Sequence, residues 1–180
     1  MHFTYCPHCG SKLISKEIGD EGFIPYCESC EIPLWDMFTT SIITAVVNEY
    51  REIALLRQNY VSTTNYVCVA GIMKPGESAE ETVIREVKEE LGVDISNAPY
   101  AFVGSTTRYF KNCPDIVDVY IFELDVSIEN VVIQKEEVND VKWMTKEEIM
   151  EIYNQGNFET TKFILEVLNF DRKLNNPKNI

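Results

Sequence analysis

A chain of 180 residues holds one ordinary domain and a small appendage. Its 45% hydrophobic and 25% charged residues exclude an intrinsically disordered chain. The 29 Asp and Glu against 16 Lys and Arg give a formal charge of −13, which argues against nucleic acid as a partner, since cations that neutralise phosphates carry most of that affinity.

The N-terminus, "MHFTYCPHCG", has no basic start, apolar run and small-residue cleavage site, so no secretory leader is expected. No stretch approaches the roughly 20 apolar residues of a membrane span. A cytoplasmic protein with no membrane partner is the expectation.

Residues 1–36 read as a first unit. "CPHC" and "CESC" place Cys6, Cys9, Cys27 and Cys30 as two knuckles around a glycine-punctuated segment. So short a segment buries little apolar surface and needs a staple. Four thiolates in two i,i+3 pairs suit the tetrahedral geometry of structural zinc. Two disulfides are disfavoured without secretion, and a redox Cys-x-x-Cys needs no second copy. Zinc is expected, with His8 a spectator. Cys68 and Cys113 read as a buried thiol and a loop residue.

From residue 37 to about 175 the pattern changes to a second domain. "SIITAVVN" and "EIALLRQ" flank Glu49–Arg51 and predict a β-hairpin. "YVCVAG" predicts a third strand ending at Gly71. After the loop "GIMKPGE" comes a helix opened by the Ser78/Glu81 capping box and stopped by Gly92. Strands follow at "AFVGSTTRYF" and "DIVDVYIFELDV", then a polar loop "IQKEEVND", and a strand "VKWM". Thr145 with Glu148 opens a short helix, and an amphipathic helix over about 159–170 precedes a frayed tail. This order implies an α/β sandwich on a mixed sheet.

Within the first helix, "REVKEELG" crowds three glutamates. With Glu86 at 0° and about 100° per residue, Glu89 falls near −60° and Glu90 near +40°. Val83, Ile84, Val87 and Leu91 lie between about +60° and +160° on the same wheel. The acid stripe therefore borders the apolar stripe, whereas a solvated face would oppose it. Three carboxylates at the edge of a buried face suit a hard divalent cation. The loop lacks the Gly-Lys-Ser/Thr ending of a P-loop.

Residues 71–93, "GIMKPGESAEETVIREVKEELGV", match every fixed position of the Nudix box: Gly, five residues, Glu, seven residues, Arg-Glu-aliphatic-any-Glu-Glu, any, Gly, aliphatic. The chain thus resembles the Nudix hydrolases, which implies an α/β/α sandwich preceded here by the zinc ribbon. The resemblance implies that Glu86, Glu89 and Glu90, with the carbonyl of Gly71, hold Mg²⁺ or Mn²⁺. Glu77 and Arg85 would brace the loop against the helix. Many members use a glutamate of the loop before the last strand as ligand or base. Glu137 is the preferred candidate over Glu136, with a plain solvated acid as the other reading. Glu86, Glu89 and Glu137 would then be the catalytic acids.

The implied reaction is hydrolysis of a diphosphate linkage in a nucleotide-type small molecule. A cysteine ribbon ahead of the box resembles the NADH pyrophosphatase branch, whose Ser-Gln-Pro-Trp-Pro-Phe-Pro motif is replaced here by "GSTTRYF". Arg108 near a phosphate and Tyr109 against a base are candidate substrate contacts, and ordinary strand residues are the alternative. A non-catalytic ligand sensor or interaction protein on the same fold is the rival function; a sensor would want a basic DNA-binding appendage, which is not evident. A homodimer through the ribbon stays open.

Overall fold

The computed structural model describes residues 3–35, 37–59, 62–110, 113–124, 130–156 and 161–170. They divide into two compact units, Met1–Thr39 with Arg108–Asp115, and Thr40–Thr107 with Ile116–Ile180. Residues 108–110 and 113–115 thus group with the N-terminal unit.

In the first unit, β1 (Ile14–Glu17), β2 (Phe23–Cys27) and β3 (Ile32–Pro33) form an antiparallel sheet in that order. Every residue of β1 is exposed, and Phe23 is 72% exposed. Cys6 and Cys27 are the buried residues among the described part of Met1–Thr39. Among its described residues this unit shows no apolar core, the situation in which a small fold takes a staple.

In the second unit, Ser41 to Val47 of β4 (Thr39–Val47) are all buried, so this strand has protein on both faces. It joins β5 (Ile53–Gln58) through a turn in which Asn48 Oδ1 accepts the N–H groups of Tyr50 and Glu52 at 3.0 and 2.9 Å. Val47 pairs with Ile53, forming the hairpin that the sequence predicts. The predicted strand "YVCVAG" is two strands, β6 (Ser62–Val67) and β7 (Val69–Ile72). The break at Cys68 has a tertiary cause: β6 pairs with β5 and β7 pairs with β4. Cys68 is a buried thiol that burial pushes up to about 12.

Strands β8 (Tyr100–Phe110), β9 (Cys113–Glu123) and β10 (Val138–Met144) complete the order β10-β5-β4-β9-β8. Cys113 opens β9 and is no loop residue. Thr44 Oγ1 donates to Tyr120 O, and Leu124 N–H donates to Val47 O. The contacts ascend together, so β4 and β9 run parallel in an otherwise antiparallel sheet. The sheet is mixed.

Alternation along the strands feeds two cores. Ile42, Val46, Leu56, Tyr120 and Phe122 face α1 (Ala79–Leu91) and meet its Val83, Val87 and Leu91. Ile43, Val47, Leu55 and Val119 face the other way, onto Ile149 of α2 (Lys146–Asn154) and Phe163, Ile164 and Val167 of α3 (Thr161–Leu168). Each such side chain contributes about 1.5–3 kcal/mol when fully buried. The result is an α/β/α sandwich. Both capping boxes form, Ser78 with Glu81 and Thr145 with Glu148. Gly92 ends α1 in the left-handed region at φ 69°. The predicted start of the last helix near 159 and the tail from 171 lie outside the described residues. No helix among the described residues is long and apolar enough to cross a membrane.

Candidate functional site

The segment between β7 and α1 is fixed before any acid is placed. Met73 N–H donates to Thr40 O at 3.0 Å, and Gly76 turns the loop at φ 93°. Glu77 accepts from Lys74 N–H at 3.1 Å and Thr82 Oγ1 at 3.1 Å. Arg85 grips Glu77 with two parallel bonds, Nε to Oε1 at 2.8 Å and Nη2 to Oε2 at 2.9 Å. Its Nη2 also donates to Ile72 O at 3.1 Å, tying the helix to the end of the strand. The guanidinium holds the Glu77 carboxyl down at about 2, and Glu77 in turn raises Arg85 above its ordinary value. Bidentate arginine pairs of this kind fix orientation as well as charge.

Against this brace the three helix acids occupy graded environments. Glu89 is half exposed, at 46%, and Glu86 mostly covered, at 12%. Glu90 is 1% exposed. The wheel put Glu90 at the edge of the apolar stripe, but the structure puts it inside, because Gln58 of β5 faces it across the sheet–helix interface. Gln58 Nε2 donates to Glu90 Oε1, while Glu90 Oε2 is buried with no partner among the described residues. Arg85 Nη1 donates to both Glu86 Oε1 and Glu89 Oε2. Burial pushes Glu86 up against the pull of Arg85. It pushes Glu90 up to about 9, helped by the charges of Glu86 and Glu137. A Cβ on Gly71 would lie 2.1 Å from the Glu86 carboxyl, so only glycine lets that acid lie against the strand.

The two loop acids differ in their surroundings. Glu137 is partly buried and its charge reaches Glu90; Glu136 is exposed. Asn59, after β5, donates its N–H to Glu137 O at 2.8 Å and its Nδ2 to Glu136 O at 3.0 Å. Gln58 and Asn59 were not singled out by the sequence reasoning. The available signal was Gln58 continuing the inward positions of Ala54 and Leu56 with a polar side chain.

The donor set suits a hard divalent cation. Glu86, Glu89 and Glu137 lie near enough for their charges to act on Glu90, one buried Glu90 oxygen lacks a partner among the described residues, and Gly71 leaves room for the Glu86 carboxyl. Arg108 and Tyr109 belong to the other unit. Arg108 Nε donates to Asp115 Oδ2 at 2.9 Å. Tyr109 is 81% exposed.

The four knuckle cysteines form a second cluster, with all four sulfurs within 4.8 Å of one another. Cys9 and Cys27 sulfurs are 3.5 Å apart, Cys6 and Cys30 4.0 Å. A tetrahedron with arms of about 2.3 Å has edges of about 3.8 Å, between those values. Contacts from Ser11 hold Cys9 down at about 6, whereas Cys9 and burial push Cys30 up to about 12. The four sulfurs are thus close enough together to hold one metal ion.

The NUDIX domain profile matches residues 37–164. The chain is 31% identical over 141 residues to the NAD-capped RNA hydrolase NudC of Pseudomonas putida KT2440, covering 78% of this chain and 48% of that protein. It is 30% identical over 155 residues to Nudix hydrolase 19, chloroplastic, of Arabidopsis thaliana, covering 81% and 33%. The chain spans half or less of the length of these curated relatives. A Nudix hydrolase structure from Nitrosomonas europaea superposes with a TM-score of 0.64 over 91% of this chain and 92% of its own, at 17% identity. The Shewanella oneidensis NrtR NUDIX domain, in a structure complexed with ADP ribose, gives 0.56 over 70% and 82% at 14% identity, a likeness of fold. With the domain profile spanning most of its length, the chain belongs to the Nudix family.

Proposed function

We propose that this chain hydrolyses the diphosphate linkage of a nucleotide-type small molecule with the help of a divalent cation. The observation that carries the reading is Glu90 Oε2, a buried carboxylate oxygen without a partner among the described residues, in the field of Glu86, Glu89 and Glu137. Glu86, Glu89, Glu90 and Glu137, with the Gly71 carbonyl, would hold Mg²⁺ or Mn²⁺. Such an ion, when bound, neutralises phosphate oxygens and lowers the pKa of water. Arg85 fixes the direction of Glu86 and Glu89, and Glu77 fixes Arg85. Glu137 or the more exposed Glu89 accepts the proton of the attacking water at a carboxylate oxygen. The water oxygen bonds to one phosphorus, the bridging P–O bond breaks, and both products carry phosphate. Zinc in the Cys6, Cys9, Cys27 and Cys30 cluster has a structural role.

The relatives' names favour an NAD-like diphosphate, and the charge of −13 favours the free dinucleotide over one attached to RNA. A hydrolysis panel with Mg²⁺ and Mn²⁺ tests this on NADH, ADP-ribose, nucleotide sugars, nucleoside triphosphates and NAD-capped RNA. Metal-dependent turnover is expected on the diphosphates that join a nucleoside to a second group. Inertness to the whole panel would favour a ligand sensor.

Replacing Gly71 by Ala gives a sharper test of geometry. The three atoms nearest the new methyl all belong to the flexible Glu86 side chain, so the fold should survive. Glu86 must swing away, and a misplacement of that size costs about 100-fold in rate. Thermal unfolding near the wild-type midpoint with strongly reduced turnover is the expected pair of results.

A further inference from the structure

Gln58 is polar in a core position, 1% exposed and two residues beyond Leu56 on the α1-facing side of β5. Its Nε2 donates to Glu90 Oε1, while Oε2 has no partner among the described residues. A Glu90 carboxylate ionised to hold a cation would only accept hydrogen bonds, so an amide N–H suits it where an apolar side chain would strand it. The next residue acts on the loop. Asn59 binds the carbonyls of Glu137 and Glu136 through its backbone N–H and its Nδ2. The regular ladder is interrupted at this end of the strand, with register shifts between Val138 and Asp140 of β10 and between Leu56 and Gln58 toward β6. Side-chain and loop bonds therefore do here what ladder bonds do elsewhere.

We infer that Gln58 and Asn59 are positioning residues for the cation site: one dipeptide at the end of β5 turns Glu90 and holds the Glu137 loop in place. The inference rests on the proposed function. Neither residue touches the reacting atoms; both act through acids that do.

The test titrates zinc-loaded protein with Mn²⁺ alone, followed by electron paramagnetic resonance, in wild type, Glu90→Gln, Gln58→Leu and Asn59→Ala. Gln58→Leu should weaken Mn²⁺ binding by about 10–100-fold, the usual effect of losing a partner that orients a ligand. Asn59→Ala should weaken it several-fold, and both should keep wild-type zinc content. At saturating Mn²⁺, kcat should fall while KM for the diphosphate stays, since the substrate contacts are intact. Wild-type Mn²⁺ affinity in both variants, with Glu90→Gln impaired, overturns the positioning role and leaves the proposed function standing. Should Gln58→Leu not fold, Asn59→Ala decides alone: weakened binding supports the inference and unchanged binding rejects it. Wild-type protein that binds no Mn²⁺ overturns the inference together with the function it rests on.

Discussion

Glu90→Gln is expected to abolish turnover and yet raise the stability of the protein without divalent metal. The two effects have one origin. Glu90 is buried beside Glu86, Glu89 and Glu137, and its carboxyl is pushed from an ordinary 4.5 up to about 9. Below pH 4.5 the group is protonated folded or unfolded and has little effect. As pH rises from there toward 9, the unfolded chain releases the proton while the folded one keeps it, and stability is progressively lost. An amide has no such term and preserves the contact with Gln58. The variant should therefore gain stability at pH 7, with the gain shrinking toward pH 4.5. Each kcal/mol moves the melting midpoint of a domain this size by about 2–4 °C. Catalysis should fall more than the roughly 10–100-fold that follows loss of an outer partner, because a charged donor itself is gone. Melting curves from pH 4.5 to 8, with activity in Mg²⁺, check both halves. Retained activity removes Glu90 from the mechanism, and a lower midpoint makes it a structural residue.

Stripping zinc is expected to unfold the N-terminal unit while the seven-stranded sheet persists. The first unit buries Cys6 and Cys27 and little else, whereas the second has two apolar cores. Metal binding by such a cluster is folding free energy, about 10–16 kcal/mol in zinc-finger peptides. One zinc per chain is expected by elemental analysis of protein purified without added metal. After chelation, amide exchange should become fast through residues 3–35 and stay slow in β4, β5 and α1. Zinc-free protein with disulfide-paired cysteines would reject the cluster as a metal site.

The local signals in the sequence were strong where the physics is local. Ser78 with Glu81, Thr145 with Glu148, and Gly92 marked helix ends because caps are made by near neighbours. The 71–93 spacing identified the loop and helix for the same reason. What needed the fold was everything set by strand partners. The break at Cys68 comes from a change of partner, which no window around "YVCVAG" contains. Glu90 looked like a stripe-edge acid because its cover, Gln58, is 32 residues away in sequence. That Asp115 lies beside Arg108 follows from the pairing of β8 with β9. Glu136 and Glu137 are adjacent and chemically alike, and only the fold makes one exposed and the other partly buried.

The most direct measurement is hydrolysis of a dinucleotide diphosphate in ¹⁸O-labelled water with Mg²⁺, with the products weighed. Attack within the pyrophosphate predicts two phosphate-bearing products, one of them carrying a single ¹⁸O, in wild type and not in Glu90→Gln. Phosphomonoesters should be inert under the same conditions. Free inorganic phosphate from a monoester, or no label incorporated from any diphosphate, would contradict the account.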